Sequence, residues 1–155
     1  MKRAAFAQHL KKLVRGLAEH LPVDSAVDQM ASQFIHNSVR PALAPDELRH
    51  HVATADRVQK VSPYSMVRLV RKHVARMVAG EDVVVLYFST ENARHYTGKE
   101  SASMEVPLEC AGALETLMTA YPKWVRVSSL PTEAEGAGAL DLVTDLYDRG
   151  LVLLK

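Results

Sequence analysis

The sequence predicts an α+β fold, and the final third of the chain carries the main observations. From Pro107 to Lys155 the pattern indicates a helix, a short extended piece, a second helix and a terminal strand. Tyr121-Pro122 follows the first of these helices, and Gly150 follows the second. Helices usually end before a residue that precedes proline, and glycine takes the left-handed conformation just past a helix end. A helical pair closed by a strand is the core of a winged-helix domain.

Two amphipathic helices are predicted in the first third of the chain. Residues 4–21 and 24–38 carry apolar side chains at the spacing that places them on one face of a helix. Pro22 ends the first helix, and a short third helix is expected to begin at Pro45-Asp46-Glu47, since proline and acids suit a first turn.

These helices cannot enclose a core of their own, so their apolar stripe must be buried on the later domain or on a second copy of the chain. We expect a homodimer, with burial within the chain as the alternative. The expected dimer-interface residues are Phe6, Leu10, Leu13, Leu17, Val27, Met30 and Phe34.

The middle of the chain is predicted to form a small antiparallel sheet. Strand character is present in residues 66–70, 74–78 and 103–106, and residues 83–88 form a run typical of a buried strand. Ser62-Pro63 ends a polar, irregular segment. The sequence thus predicts three parts: a helical dimerisation segment (1–53), a linker (54–64) and a winged-helix domain (65–155).

Composition narrows the class of protein. Of the 155 residues, 48% are apolar and 24% are charged, as in ordinary globular domains. Cys110 is the single cysteine, so the sequence has no internal disulfide framework. No apolar run approaches the roughly 20 residues of a membrane span, and the basic start lacks the apolar run of a signal peptide. We therefore expect a soluble intracellular protein without a membrane partner.

The net charge of +1 conceals an asymmetry along the chain. Residues 1–80 contain 13 Lys or Arg against 6 Asp or Glu, whereas residues 81–155 contain 6 against 12. Such a split suggests two functional surfaces, or docking of one half on the other. Solvated faces on unlike helices would produce the same split.

No catalytic or metal site is predicted from the residues. No histidine is followed two places later by Asp or Glu, so the triad that holds catalytic iron has no local signature, and zinc spacing is also absent. Cys110 has no obvious base nearby, and neither a nucleophile elbow nor a phosphate loop is present. We expect the chain to bind no cofactor and to be inactive on its own.

A winged helix often binds DNA, but the predicted second helix is unsuited to it. Its polar positions Asp141, Asp145 and Asp148 would set carboxylates against phosphates. The better nucleic-acid candidate is a basic cluster formed by Arg68, Arg71, Lys72 and Arg76. Charged faces without stacking aromatics are mostly just solvated, so nucleic acid is the weaker alternative partner.

Three stretches in this order resemble a known family. They are residues 21–30 (LPVDSAVDQM), residues 85–96 (VLYFSTENARHY), and residues 120–127 (AYPKWVRV) with residues 146–151 (LYDRGL). Together they are similar to the carboxy-terminal region of ribosomal oxygenases, the JmjC-domain enzymes described as bifunctional lysine-specific demethylase and histidyl-hydroxylase. The nucleolar branch is the most similar, and the resemblance covers nearly the whole chain.

The resemblance implies an Fe(II)- and 2-oxoglutarate-dependent dioxygenase with a JmjC barrel, a helical dimerisation region and a winged helix. Family members hydroxylate a histidine of a ribosomal protein, and histone lysine demethylation is ascribed to the nucleolar branch. This chain resembles only the latter two parts, so the barrel and its iron ligands would lie before Met1. A nuclear or nucleolar location is implied as well.

No catalytic residue is carried over from the family. The matching turn contains Asn92 and Arg94, which we expect to hold the turn after the long strand, because asparagine caps turns and arginine supplies a planar fork of donors. Substrate contact is the alternative role for this pair. The alternative function for the whole chain is a free-standing winged-helix interaction module or transcription regulator.

Overall fold

The predicted α+β class is confirmed by a computed structural model, which describes residues 3–54, 59–80, 83–90, 102–134, 136 and 138–155. By contacts the chain divides into two compact units, Met1–Met30 and Ala31–Lys155. The helices are α1 (Arg3–Glu19), α2 (Val23–His36), α3 (Ala111–Ala120) and α4 (Gly138–Asp148). The strands are β1 (Met66–Leu69), β2 (Ala75–Ala79), β3 (Val83–Phe88), β4 (Ser103–Pro107), β5 (Val125–Arg126) and β6 (Val152–Leu154).

Helices α1 and α2 form as the sequence predicts. The His20 ring bonds the Gly16 carbonyl (Nδ1···O 2.7 Å) at the end of α1, so one of the last free carbonyl groups is satisfied. Helix α2 begins directly after Pro22, and the Asp24 carboxylate in its first turn suits the positive end of the helix dipole. No side chain of α1 is buried, and Ile35 is the buried residue of α2.

The strands divide between two antiparallel sheets, whereas the sequence predicts one small sheet over residues 66–106. The first sheet has the order β5-β1-β6, and the second has the order β2-β3-β4. Strand β1 therefore pairs with strands that follow α3 and α4, with Val67 opposite both Val125 and Leu154. The expectation of one sheet is wrong because adjacency in sequence does not determine the pairing of β1.

A single apolar core lies between the sheets and the helices α3 and α4. Its largest fully buried side chains include Leu69, Leu114, Leu117, Leu146 and Tyr147. Each buried side chain of this size contributes roughly 1.5–3 kcal/mol from removal of apolar surface from water. Helix α3 ends at Ala120, as the following Tyr-Pro pair predicts.

Gly150 ends helix α4 in the left-handed conformation, with φ +73°, and the prediction for this residue is confirmed. The N–H of Gly150 donates to the Tyr147 carbonyl (2.8 Å), and the N–H of Leu151 donates to the Leu146 carbonyl (2.9 Å). This Schellman pattern satisfies two free carbonyl groups and turns the chain into β6. A Cβ at residue 150 would also lie 3.0 Å from His51 Nε2.

Residues of the segment 44–54 contact strand β6 and the turn that precedes it. His51 Nε2 lies 3.2 Å from the Gly150 carbonyl oxygen, and His50 Nδ1 lies 2.9 Å from that of Leu154. All three residues of β6 are buried, although alternate residues of a strand face opposite sides of a sheet. The division at residues 54–64 stays a prediction.

Candidate functional site

The described residues present an exposed apolar stripe, an acidic helix face and one buried cluster of charged side chains. The apolar stripe is the first of them. Every residue predicted for the dimer interface is exposed in the chain, from 49% for Leu10 and Val27 to 74% for Met30. Single exposed apolar side chains are ordinary, but several at helical spacing on one helix, as on α1, are typical of a surface that becomes covered. Self-association itself stays a prediction.

The predicted basic cluster is not one free surface, because two of its members bind Glu47. Both oxygens of the Glu47 carboxylate accept hydrogen bonds from Arg71, at 3.0 and 2.9 Å, and Oε1 also accepts one from Arg68. The side chains of the two arginines are only 16% and 24% exposed. Lys72 is exposed, and Arg76 lies half-buried on β2, in the other sheet.

The local fold of residues 44–47 prepares the Glu47 carboxylate for this role. The backbone N–H of Ala44 donates to Oε2 at 2.8 Å, and the Arg71 guanidinium also donates to the Ala42 carbonyl. Burial by itself raises the pKa of Glu47, but the hydrogen bonds of Arg71 and Ala44, the charge of Arg71 and the bond from Arg68 lower it to about 2. The carboxylate therefore stays ionised at neutral pH.

Trp124, the one tryptophan of the chain, lies beside this cluster. The Arg68 guanidinium carbon is 5.0 Å from the centre of the indole ring, and Lys155 Nζ is 5.9 Å from it. The His50 ring packs edge-on, with centres 5.7 Å apart. Both cations lie within the range of attraction to an aromatic face. The half-buried indole thus connects the cluster to the edge of the first sheet.

Two further buried side chains, His51 and Tyr147, have shifted pKa values. Burial lowers the pKa of His51, and the positive charge of Arg40 lowers it further. The hydrogen bond to the Gly150 carbonyl raises the pKa but does not cancel these two effects. Burial raises the pKa of Tyr147, the backbone of Gln59 opposes this, and Asp148 adds to it. The contact with the Gln59 backbone is not a well-formed hydrogen bond, and within the described ranges the Tyr147 hydroxyl has no other hydrogen-bond partner.

The remaining predicted residues differ in their placement. Asn92 and Arg94 lie outside the described residues. Asp141, Asp145 and Asp148 are exposed on α4, as the sequence predicts for an acidic helix. Cys110 is buried against the Gly138 carbonyl, with its Sγ at 3.7 Å.

Sequence reasoning missed Glu47 as a partner of the two arginines. It treats Glu47 as an ordinary acid in a first helical turn, and the distance of about twenty residues to Arg68 and Arg71 hides the pairing. The signal that could have found it is composition: the first half has a large excess of cations, so one buried acid there is a natural partner for several of them.

Within the described ranges, no three His, Cys, Asp or Glu side chains are grouped so that they could hold a metal ion. The same ranges contain no helix long and apolar enough to cross a membrane.

Comparisons with known proteins agree with the architecture. Residues 40–155 match the family model described as ribosomal oxygenase 1, C-terminal winged helix domain. Ribosomal oxygenase 1 of Danio rerio is 35% identical over 161 residues, covering 97% of this chain and 29% of that protein. Bifunctional lysine-specific demethylase and histidyl-hydroxylase NO66 of Dictyostelium discoideum is 33% identical, covering 90% of this chain and 27% of that protein.

The human ribosomal oxygenase 1 is 33% identical over 164 residues, covering 99% of this chain and 25% of that protein. The chain therefore spans less than a third of the length of the curated relatives it matches. The matched part includes both sheets and the helices α3 and α4. By this match the chain belongs to the family of ribosomal oxygenases, in which its residues 40–155 are the C-terminal winged helix domain.

Proposed function

We propose that the chain is the dimerisation and winged-helix portion of an Fe(II)- and 2-oxoglutarate-dependent ribosomal oxygenase. The match of residues 40–155 to the winged helix domain of that family supports this proposal most strongly. Catalysis resides in a JmjC barrel that these 155 residues do not contain. The relatives are named as a ribosomal oxygenase and as a lysine-specific demethylase and histidyl-hydroxylase, which supports a protein substrate for the whole enzyme. Its proposed substrate is a ribosomal protein or a histone, and its proposed location is the nucleus or nucleolus.

The described side chains do not fit an iron site of their own, since none of them form a group that could hold a metal. His50 and His51 each direct a ring nitrogen at a backbone carbonyl, at 2.9 and 3.2 Å. On this proposal the steps of the oxygenase reaction belong to the barrel. Its role is to hold two copies together and to present a protein-binding surface beside the barrel.

A direct test of this division of labour uses the chain alone. We expect no hydroxylation when it is incubated with Fe(II), 2-oxoglutarate and a histidine-bearing ribosomal peptide. The same peptide should gain the mass of one oxygen when the chain is expressed in frame with a JmjC barrel. Hydroxylation by the isolated chain would contradict the proposal. If the chain instead bound DNA in a salt-dependent way and did not change the hydroxylation activity of a barrel, a free-standing regulator would be favoured.

The homodimer part of the proposal is based on the exposed stripe. Leu17 is 70% exposed in the chain, so Leu17→Asp costs the single copy little. In a dimer the same change would bury an unpaired charge, which is strongly unfavourable. Light scattering should show a dimer for the unchanged chain and a monomer for this variant.

Gln8→Asp is the matched control, because Gln8 lies exposed on the polar side of α1 and the change also introduces one carboxylate. This control should remain a dimer. A monomer for the unchanged chain would refute self-association. Unfolding of Leu17→Asp, with the control still folded, would favour burial of the stripe within the chain.

A further inference from the structure

A groove in the second unit lies between strand β4 and helix α4. Its cavity volume is about 220 Å³, below the roughly 300–1,000 Å³ of small-molecule sites. The buried apolar side chains Met104, Val106 and Leu142 line it, and the Cys110 thiol lies among them. The groove thus has the size of a single long side chain and an apolar floor.

One wall of the groove is the free edge of a sheet. Strand β4 is at the end of the order β2-β3-β4, so β3 is its one partner strand in the described part of the chain. The consecutive residues Met104–Pro107 all line the groove, although they alternate between buried and exposed. The groove therefore follows the strand edge, where unpaired N–H and C=O groups before Pro107, and the C=O alone at Pro107, offer pairing to an extended chain.

Carboxylates form the rim. Glu105 and Glu109 stand on one side, and Asp141 and Asp145 stand one helical turn apart on the other. All four are exposed, and none forms an ion pair among the described residues. Like charges one turn apart on a helix destabilise it, so a cationic ligand would relieve this repulsion.

The far end of the groove is shaped by Gly138, the first residue of α4. A Cβ at this residue would meet the Ala134 Cβ at 2.5 Å and the Cys110 Sγ at 3.5 Å. Glycine lets the helix approach the buried thiol closely. The shape of the groove at this end therefore depends on close packing of α4 against Ala134 and Cys110.

We propose that the groove between β4 and α4 binds an extended, basic segment of a partner protein. The segment adds along the β4 edge, and a lysine or arginine lays its aliphatic stem on the apolar floor while its charged head meets the rim. Long cationic side chains combine these two contacts readily. The carboxylates are not grouped as ligands of one ion, so several spaced cations match the rim better than a metal does.

The experiment measures binding of a fluorescein-labelled octapeptide of alternating lysine and alanine to the 155-residue chain by anisotropy. We expect saturable binding that weakens as salt is added, because the rim charges are exposed and are screened. The double variant Glu109→Gln/Asp145→Asn should bind about fivefold more weakly, since exposed charge pairs are individually modest. Its matched control is Glu115→Gln/Asp148→Asn, which removes the same charges from exposed positions outside the groove.

A second peptide tests the strand edge without changing the protein. N-methylation of alternate residues removes backbone donors and leaves the charges, so this peptide should also bind more weakly. The proposal is overturned by absence of saturable binding up to about 1 mM peptide, by equal weakening in the two double variants, or by undiminished binding of the methylated peptide. Loss of self-association in the groove variant would assign the groove to a second copy of this chain and would overturn it too.

Peptide binding in the groove is independent of the proposed oxygenase role. A failed hydroxylation experiment would leave peptide binding unchanged, whereas a failed binding experiment would leave the family assignment in place.

Discussion

Replacing the buried Glu47 by glutamine tests the charge cluster that joins residues 44–54 to the first sheet. The lowering of its pKa from 4.5 to about 2 corresponds to about 3 kcal/mol of stability at neutral pH. Glutamine keeps the shape but leaves Arg68 and Arg71 without their counter-charge. Because both arginines retain some exposure, we expect Glu47→Gln to lower the free energy of unfolding by about 2–3 kcal/mol. For a chain of this length that is a fall in Tm of roughly 5–10 °C.

The loss should depend on pH with a definite sign. The folded-state pKa of Glu47 is depressed, so its contribution is fully present above the unfolded value of 4.5 and is lost as pH falls towards 2. The difference between the unchanged chain and Glu47→Gln should therefore be largest at pH 7, and roughly halved at pH 3.

Urea unfolding at several pH values, followed by fluorescence, measures this difference. Trp124 is a suitable reporter, since it lies 5.0 Å from the Arg68 guanidinium and is the one tryptophan in the sequence. Glu115→Gln removes a charge from an exposed position on α3 and should change stability by less than about 0.5 kcal/mol. Equal stability of Glu47→Gln and the unchanged chain at pH 7, or a difference that does not vary with pH, would refute the reasoning.

Three further predictions concern the packing around the end of α4. Gly150→Ala should destabilise the chain by about 1–3 kcal/mol in urea unfolding, because φ is +73° and the new Cβ meets His51; an unchanged midpoint would contradict this. Tyr147→Phe removes a buried hydroxyl that has no well-formed hydrogen bond to the described residues, so the free energy of unfolding should be unchanged or higher, whereas a clear loss would reveal a hydrogen bond. NMR titration should give His51 a pKa below 6.5 in the folded chain. The contribution of His51 to the free energy of unfolding is then complete above pH 6.5 and is lost as the pH falls to the pKa of the folded state. A pKa above 6.5 would contradict the burial argument.

Local features of the fold could be predicted from the sequence because their causes are local. The proline at residue 122 and the glycine at residue 150 end α3 and α4 by their own backbone geometry. The apolar run of β3 indicates a strand without reference to any partner. The exposure of the three aspartates of α4 follows from their spacing on one helical face.

The pairing of β1 could not be predicted in the same way. Its partner β5 follows α3 in the sequence, and its partner β6 follows α4. Nothing in the residues of β1 favours these partners over β2, the next strand along the chain. The same limit applies to Glu47, whose partners Arg68 and Arg71 lie 21 and 24 residues further along the chain. Asp141 and Asp145 of the acidic rim can be recognised in the sequence as one acidic helix face, but the groove with its apolar floor arises only when β4 and α4 come together.

From the position of β1 between β5 and β6 we also expect a particular order of assembly. Strands β2, β3 and β4 are paired with near neighbours in sequence, so they can form early, as hairpins do within microseconds. The first sheet instead requires closure of a long loop between β1 and β6, which is slow because loop-closure entropy must be overcome first. Until that closure the edges of β1 are unpaired, so we expect aggregation to compete with folding mainly at this step.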